Sequence, residues 1–156
     1  MSQTAAVQLR EVQDDDLPIL YSHQLDPIAN QMAAFPAREE AAFMAHWDKI
    51  RANPSNMIRT ILFDGQVVGS ISSFVMEGQR EVGYWIGREH WGKGIATQAL
   101  AAFLQVDTTR PLHAHAAKHN LGSIRVLEKC GFKAVGEDSY ANPAGEVVEE
   151  VVLKID

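Results

Sequence analysis

The chain has 156 residues, 46% of them hydrophobic, and carries 14 Lys and Arg against 20 Asp and Glu, a formal net charge of −6. That length and composition fit a single globular domain, 1–156, with a full core, and the acidic balance without a basic cluster argues against nucleic acid as the main partner. No apolar run approaches the ~20 residues of a membrane helix, and the single cysteine, Cys130, excludes an internal disulfide and suits a reducing cytoplasm.

The first eight residues have no basic start and no long apolar core, so no signal peptide is expected. Val7 to Val12 alternates and reads as a short strand. Asp14, Asp15 and Asp16 suit the positive end of a helix carrying Leu17, Leu20, Tyr21 and Leu25. Asp26 to Pro36 reads as irregular, punctuated by Pro27 and Pro36. Arg38 to Arg51 is predicted helical, with Phe43, Trp47 and Ile50 at i, i+4 and i+7, and Asn53-Pro54-Ser55-Asn56 ends it. Ile58 to Phe63 and Val67 to Met76 read as strands joined by a hairpin turn at Asp64-Gly65-Gln66, with a second turn at Glu77-Gly78-Gln79 and a strand from Val82 to Ile86.

The next helix presents Ala96, Ala99, Leu100, Phe103 and Leu104 on one face. Pro111 precedes a strand from Leu112 to Ala116. Asn120 is a candidate N-cap for a helix with Ile124, Leu127 and Cys130, and Gly131 its C′ residue. Phe132 to Gly136 and Val147 to Ile155 close the chain as strands, around a turn-rich insert at 142–145. Hairpins combined with crossovers imply an α/β fold: a central, twisted mixed sheet with helices on both faces.

Gly83 to Thr97 carries the strongest functional signal. A strand enters a glycine turn and an amphipathic helix leaves it, so several backbone N–H groups converge at a helix N-terminus, a site for a phosphate. Three patterns compete for it. In the P-loop pattern Gly87, Gly92 and Lys93 fit, but Gly94 stands where Ser or Thr should hold magnesium. In the dinucleotide fingerprint Gly92 and Gly94 fit, but Thr97 replaces the third glycine. The third pattern is Q/R-x-x-G-x-G/A, which falls on Trp91 to Ala96: Gly94 and Ala96 match and Trp91 departs.

That third pattern, with Glu81 to Gly87 before it and Asn120 to Phe132 after it, resembles the GNAT acyltransferases, in particular the branch that includes the ribosomal-protein N-terminal acetyltransferases. The similarity covers residues 81–132. It implies acetyl-CoA as cosubstrate and the GNAT fold. It further implies that the pyrophosphate sits on the amides of Trp91, Gly92, Lys93, Gly94, Ile95, Ala96 and Thr97. The pantetheine arm pairs with Tyr84, Trp85 and Ile86 like an added strand, and Asn120, with Ser123 beside it, bonds that arm. Val82 to Ile86 and Leu112 to Ala116 are then the two parallel strands that splay apart around the thioester.

Acetyl transfer to an amine needs a proton acceptor, a donor that polarises the carbonyl, here a backbone N–H near Ile86, and an exit for the thiolate. No covalent intermediate is required, so Cys130, at an apolar helix end, reads as core. His115, on the strand beside the splay, is the first candidate base, with His113 on the same face; Glu81, Tyr140 and Ser139 are the others. The spacing of His113, His115 and His119, without carboxylates, is unspecific, and no metal is expected. Many members of the family place a Tyr seven residues after the Asn as thiolate acid. Here that residue is Leu127, which leaves a catalytically inactive CoA-binding sensor or interaction module as the alternative to an active N-acetyltransferase. Residues 21–38 and 138–146 are expected to wall the acceptor site, with Tyr21, His23, Phe35, Phe74 and Tyr84 as lining candidates. The acceptor is expected to be a small amine or a protein N-terminus, with no nucleic-acid or membrane partner, in a cytoplasmic monomer or homodimer.

Overall fold

The computed structural model describes residues 6–156; the reading of Met1 to Ala5 as part of no signal segment lies outside the described residues. Seven strands, β1 (Val7–Arg10), β2 (Met57–Phe63), β3 (Gln66–Met76), β4 (Gln79–Ile86), β5 (Leu112–Ala117), β6 (Lys133–Ala141) and β7 (Val147–Ile155), form one sheet in the order β1-β2-β3-β4-β5-β7-β6. Neighbours are antiparallel except β4 and β5, which run parallel. The helices are α1 (Leu17–His23), α2 (Pro27–Ala33), α3 (Glu40–Ala52), α4 (Ile95–Val106) and α5 (Leu121–Lys129). The mixed sheet expected from the hairpins and crossovers is therefore present, with helices on both faces. Among the described residues no helix is long and apolar enough to cross a membrane.

Side-chain alternation divides the sheet into two faces. One face packs Ile71, Val82, Ile86, Leu112, Ala114 and Leu153 against the apolar stripe of α4 and α5, including Ala99, Leu100, Phe103 and Leu127. The other carries a smaller cluster in which Leu17 and Leu20 of α1 meet Phe43 and Trp47 of α3. The Arg38 to Arg51 periodicity thus marks a buried face as read, and so does the stripe of α4.

Two elements differ from their reading. Asp26 to Pro36 is not irregular: residues Pro27–Ala33 form α2. The Asp26 carboxylate accepts from the backbone N–H groups of Ile28 and Ala29 at 2.8 and 3.4 Å, and Pro27 occupies the first turn. There its missing N–H leaves nothing unpaired, so this proline opens a helix and does not break one. β6 also runs on to Ala141 in register with β7, so Asp138 to Ala141 belong to a strand and only the turn after them is irregular.

Two buried carboxylates tie the layers together. The Asp107 carboxylate, after α4, accepts from Ser73 Oγ at 2.5 Å, Arg80 Nε at 2.9 Å and the Thr109 N–H at 3.0 Å, which pins the end of α4 to β3 and β4. Asp16, ahead of α1, accepts from both Arg10 Nη atoms at 2.7 and 2.8 Å, from Thr60 Oγ1 at 2.7 Å and from the Gln13 N–H at 2.8 Å. Burial alone pushes the Asp16 carboxyl up, but these donors outweigh it and hold it at about 2.

A carboxyl held below its unfolded value contributes stability above that value and loses it as pH falls toward its folded one. Asp16→Asn is expected to lower the unfolding free energy by roughly 2–3 kcal/mol at pH 7. In urea titrations the gap between the two proteins should close between about pH 4 and pH 2. A gap that does not change with pH would contradict this role.

Candidate active site

β4 and β5 are joined by one register pair, Glu81 with His113. Beyond it the two strands separate. Each stays fully paired on its outer side, β4 with β3 from Gln79 to Ile86 and β5 with β7 from Leu112 to Ala117. The gap lies at the carboxyl ends of two parallel strands, where open sheets present their ligand sites. It opens into a groove of about 750 Å³.

The groove is lined by the end of β4 (Tyr84, Trp85, Ile86), the turn into α4 (Trp91, Gly92, Gly94, Ile95, Ala96, Thr97), the start of α5 (Asn120, Gly122, Ser123) and α2 (Ala29, Met32, Ala33). Gly92 and Gly94 have φ of +78° and +74°, which a side chain rarely tolerates. A Cβ on Gly92 would meet nothing within 4 Å, so the glycines shape the backbone and leave open space above it. Gly94 caps α4 without a side-chain bond, and the first N–H groups of a helix have no partner within it. The turn therefore offers an anion free amides. Arg125 and Lys129, one helical turn apart on α5, also line the groove; Lys93 is exposed and is not among the lining residues.

Trp91 has a local reason for departing from Gln or Arg. Its indole N–H donates to the Ile86 carbonyl at 2.9 Å, anchoring the turn to the strand end. Across the groove Tyr84 Oη lies 2.8 Å from Ser123 Oγ. Burial pushes the Tyr84 hydroxyl up to about 12, with the Ser123 bond opposing. Asn120 caps α5 as read, its Oδ1 accepting from the Ser123 N–H at 3.2 Å. Leu127, where a Tyr was sought, is 1% exposed and part of the core. Cys130 Sγ donates to the Thr97 carbonyl at 3.5 Å and packs against the core, as its position implied.

The opposite side of the gap carries a row of titratable side chains. His115 Nε2 is 3.1 Å from Glu81 Oε1, and His115 Nδ1 is 3.1 Å from Glu150 Oε1. A neutral imidazole has one N–H to give, so with an acceptor on each side the row is satisfied by an imidazolium between two carboxylates or by a proton on one of them. Glu81 is 4% exposed. Burial pushes its carboxyl above the usual range, and the charges of His115 and His113 pull it back. Glu150 is raised by burial too, with His115 opposing. Asp138, which pairs with Glu150, and Tyr140 lie on the same face by register. Burial and then the Glu150 charge push the Tyr140 hydroxyl up, so it stays a donor. Trp85 Nε1 and His113 Nδ1, the latter opposite Glu81 by register, are buried without a partner among the described residues. Glu150 was not foreseen from sequence; it reaches His115 only through the antiparallel register of β5 and β7.

The candidates for the acceptor wall lie in several places. Phe74 pairs with Glu81 across β3 and β4, and its ring lies over Gly83. Tyr21 does not line the groove; it packs edge-on against Phe43, centroids 5.3 Å apart, in the α1–α3 layer. His23 is buried beside Gly87 and borders a separate cavity. Phe35 lies under the Arg38 guanidinium, 5.0 Å from its centroid. The two segments expected to wall the site do meet. Asn142 Nδ2 donates to the Ala34 carbonyl at 3.1 Å, and His119 Nε2 donates to the Gln31 carbonyl at 2.9 Å. These bonds hold α2 from both sides and use His119 as a tether.

Residues 7–133 match the family model described as Acetyltransferase (GNAT) domain. "Probable N-acetyltransferase YjcK" of Bacillus subtilis (strain 168) is 37% identical over 82 residues, which is 47% of this chain and 45% of that protein, so the match spans less than half of the relative. The crystal structure of ribosomal-protein-alanine N-acetyltransferase from Brucella melitensis superimposes with a TM-score of 0.78 at 21% identity, covering 95% of this chain and 98% of that one. Spermidine N-acetyltransferase from Vibrio cholerae, in complex with CoA and spermine, does so with a TM-score of 0.77 at 16% identity, covering 95% of each chain. At these identities the structures establish the shared fold.

Asn142 is 6% exposed and its amide serves Ala34, Ala144 and Glu146. Asn142→Ala should cost about 1–3 kcal/mol of stability and speed proteolysis within residues 26–38. Unchanged cleavage there would show that the turn does not hold α2.

Proposed function

We infer that this chain, which belongs to the GNAT acetyltransferase family, is an acetyl-CoA-dependent N-acetyltransferase that passes the acetyl group directly to a primary amine. The observation that carries this reading is the gap between β4 and β5, with free helix amides on one side and the Glu81–His115–Glu150 row on the other. The groove fits the donor. Open glycine backbone and uncapped amides at residues 92–97 suit a pyrophosphate, Arg125 and Lys129 add positive charge, and the separated edge of β4 at residues 84–86 offers backbone groups to the amides of the pantetheine arm.

When bound, acetyl-CoA supplies an activated thioester: the amine nitrogen forms the new bond to the acetyl carbon, the bond to sulfur breaks, and one proton must leave the amine. The chain's own groups serve those needs. Glu81, buried at the vertex of the gap, is poised to take the amine proton, directly or through a water. His115 links it to Glu150, which moves the charge away from the reacting nitrogen and toward Asp138 and solvent. An acceptor bearing positive charge is drawn to a face where Glu81, Asp138 and Glu150 gather. The Tyr84–Ser123 hydroxyl pair lies in the groove and stays protonated, so it can donate to the departing sulfur in place of the Tyr that Leu127 replaces.

In a thermal-shift assay acetyl-CoA should raise the unfolding midpoint while ATP and NAD should not, because ligands that bind only the folded state stabilise it. Gly94→Val should lower the ligand-free midpoint, because a β-branched residue is strained at positive φ, yet leave the chain folded and abolish most of the acetyl-CoA shift. A full shift in the variant would place the pyrophosphate elsewhere.

A base works deprotonated, so kcat/KM should fall on the acid side as pH drops through the raised pKa of Glu81, above the ordinary glutamate range. Glu81→Gln is expected to lower kcat/KM by roughly 10²–10⁴-fold and to erase that limb. An unchanged profile would rule Glu81 out.

A further inference from the structure

We propose that His23, Glu89 and His90 form a binding site for a divalent transition-metal ion, zinc by the chemistry of the set, which clamps the end of α1 to the turn leading into α4. His23 comes from the end of α1 and the neighbouring Glu89 and His90 from the turn after β4, yet one ligand atom of each lies within 4.8 Å of the other two. His90 Nε2 and Glu89 Oε1 are 3.5 Å apart. Two imidazoles and one carboxylate are an ordinary zinc set that leaves a fourth position for water. Tetrahedral ligands at ~2.0–2.2 Å from an ion stand roughly 3.3–3.6 Å apart, the separation Glu89 and His90 already have, so any contraction lies between His23 and this pair, whose Glu89 carboxylate is 75% exposed.

The independent sign is His23. Its side chain is 7% exposed and its Nδ1 has no hydrogen-bond partner among the described residues. Buried polar atoms in folded proteins almost always have one, so a bare nitrogen calls for a missing partner. The ring is also held in place. A Cβ on Gly87 would come within 2.8 Å of His23 Cδ2 and Nε2. Gly87 has φ −56°, which any residue adopts, so the glycine is required for room and not for backbone conformation.

The surroundings accept a cation. The cluster borders a cavity of about 390 Å³ lined by Ser22, His23, Asp26, Arg88 and Glu89, with room for an ion and its water. Arg88, the cation that lines this cavity, is paired with Asp26. An ion here would join the acceptor-side helix to the turn that shapes the donor groove, since His90 also lines that groove. The His115–Asp138–Glu150 group is the other cluster of this kind among the described residues, but its hydrogen bonds are already made.

The test uses the whole chain freed of metal by a chelator, with Zn²⁺ titrated against a chromophoric competitor and Co²⁺ as a visible-absorbing probe. One Zn²⁺ per chain is expected, with at least tenfold weaker binding in both Glu89→Gln and His90→Gln. The Co²⁺ complex should show the intense absorption of a four- or five-coordinate site, and Zn²⁺ should raise the unfolding midpoint of the parent chain but not of His90→Gln. Absence of stoichiometric binding, or binding as tight in both variants as in the parent chain, would overturn the site. So would binding that survives both and is lost in His115→Ala, which would put the ion on the other cluster. His23→Ala is avoided as the deciding variant because emptying a buried position can unfold the chain.

Discussion

Two parallel strands that pair once and then part have inner edges whose backbone groups find no neighbour in the sheet. In an ordinary sheet such a gap would close, because unpaired buried N–H and C=O groups are costly. Here it stays open because each strand is locked on its far side, β4 by the whole length of β3 and β5 by the whole length of β7. The side chains near the gap reinforce it. Trp91 occupies the Ile86 carbonyl, Tyr84 reaches across to Ser123, and β5 contributes the small residues Ala114, Ala116 and Ala117. The opening is thus built into the sheet and needs no movement to form.

The strand alternation turns that opening into two chemically different half-sites. Odd-numbered residues of β4 and β5, Glu81, His113 and His115, face the layer of α1 to α3. Even-numbered residues, Tyr84, Ile86 and Ala114, face α4 and α5. The groove runs along the strand ends beside helix amides and basic side chains, while the opposite face gathers carboxylates and histidine. A proton released at the gap has a carboxylate at the vertex and a bonded route outward through His115. α2, held by His119 and Asn142, walls the groove.

What was legible in the sequence was what local chemistry dictates. The glycine turn after β4, the hairpins at residues 64–66 and 77–79, the stripe of α4 and the Asn120 cap each follow from a few adjacent residues. The family resemblance added the pairing of β4 with β5, which no periodicity carries. α2 was missed because Pro27 reads as a breaker unless Asp26 is recognised as its cap. Arg125 and Lys129 were missed because their reach into the groove depends on how α5 packs. Glu150 was invisible for a different reason: it meets His115 through the register of β7 against β5, a long-range property. The directions of Tyr21 and His23 were not legible either, since packing against Phe43 and Gly87 decides them.

The claim on which the rest stands is that the gap and its glycine turn hold coenzyme A. Amide hydrogen exchange with and without CoA tests it directly. Slowed exchange confined to residues 84–97 and the start of α5, with β1 and β2 unchanged, is the expected result. CoA binding that leaves the amides of Gly92 to Thr97 exchanging at their free rate would contradict it.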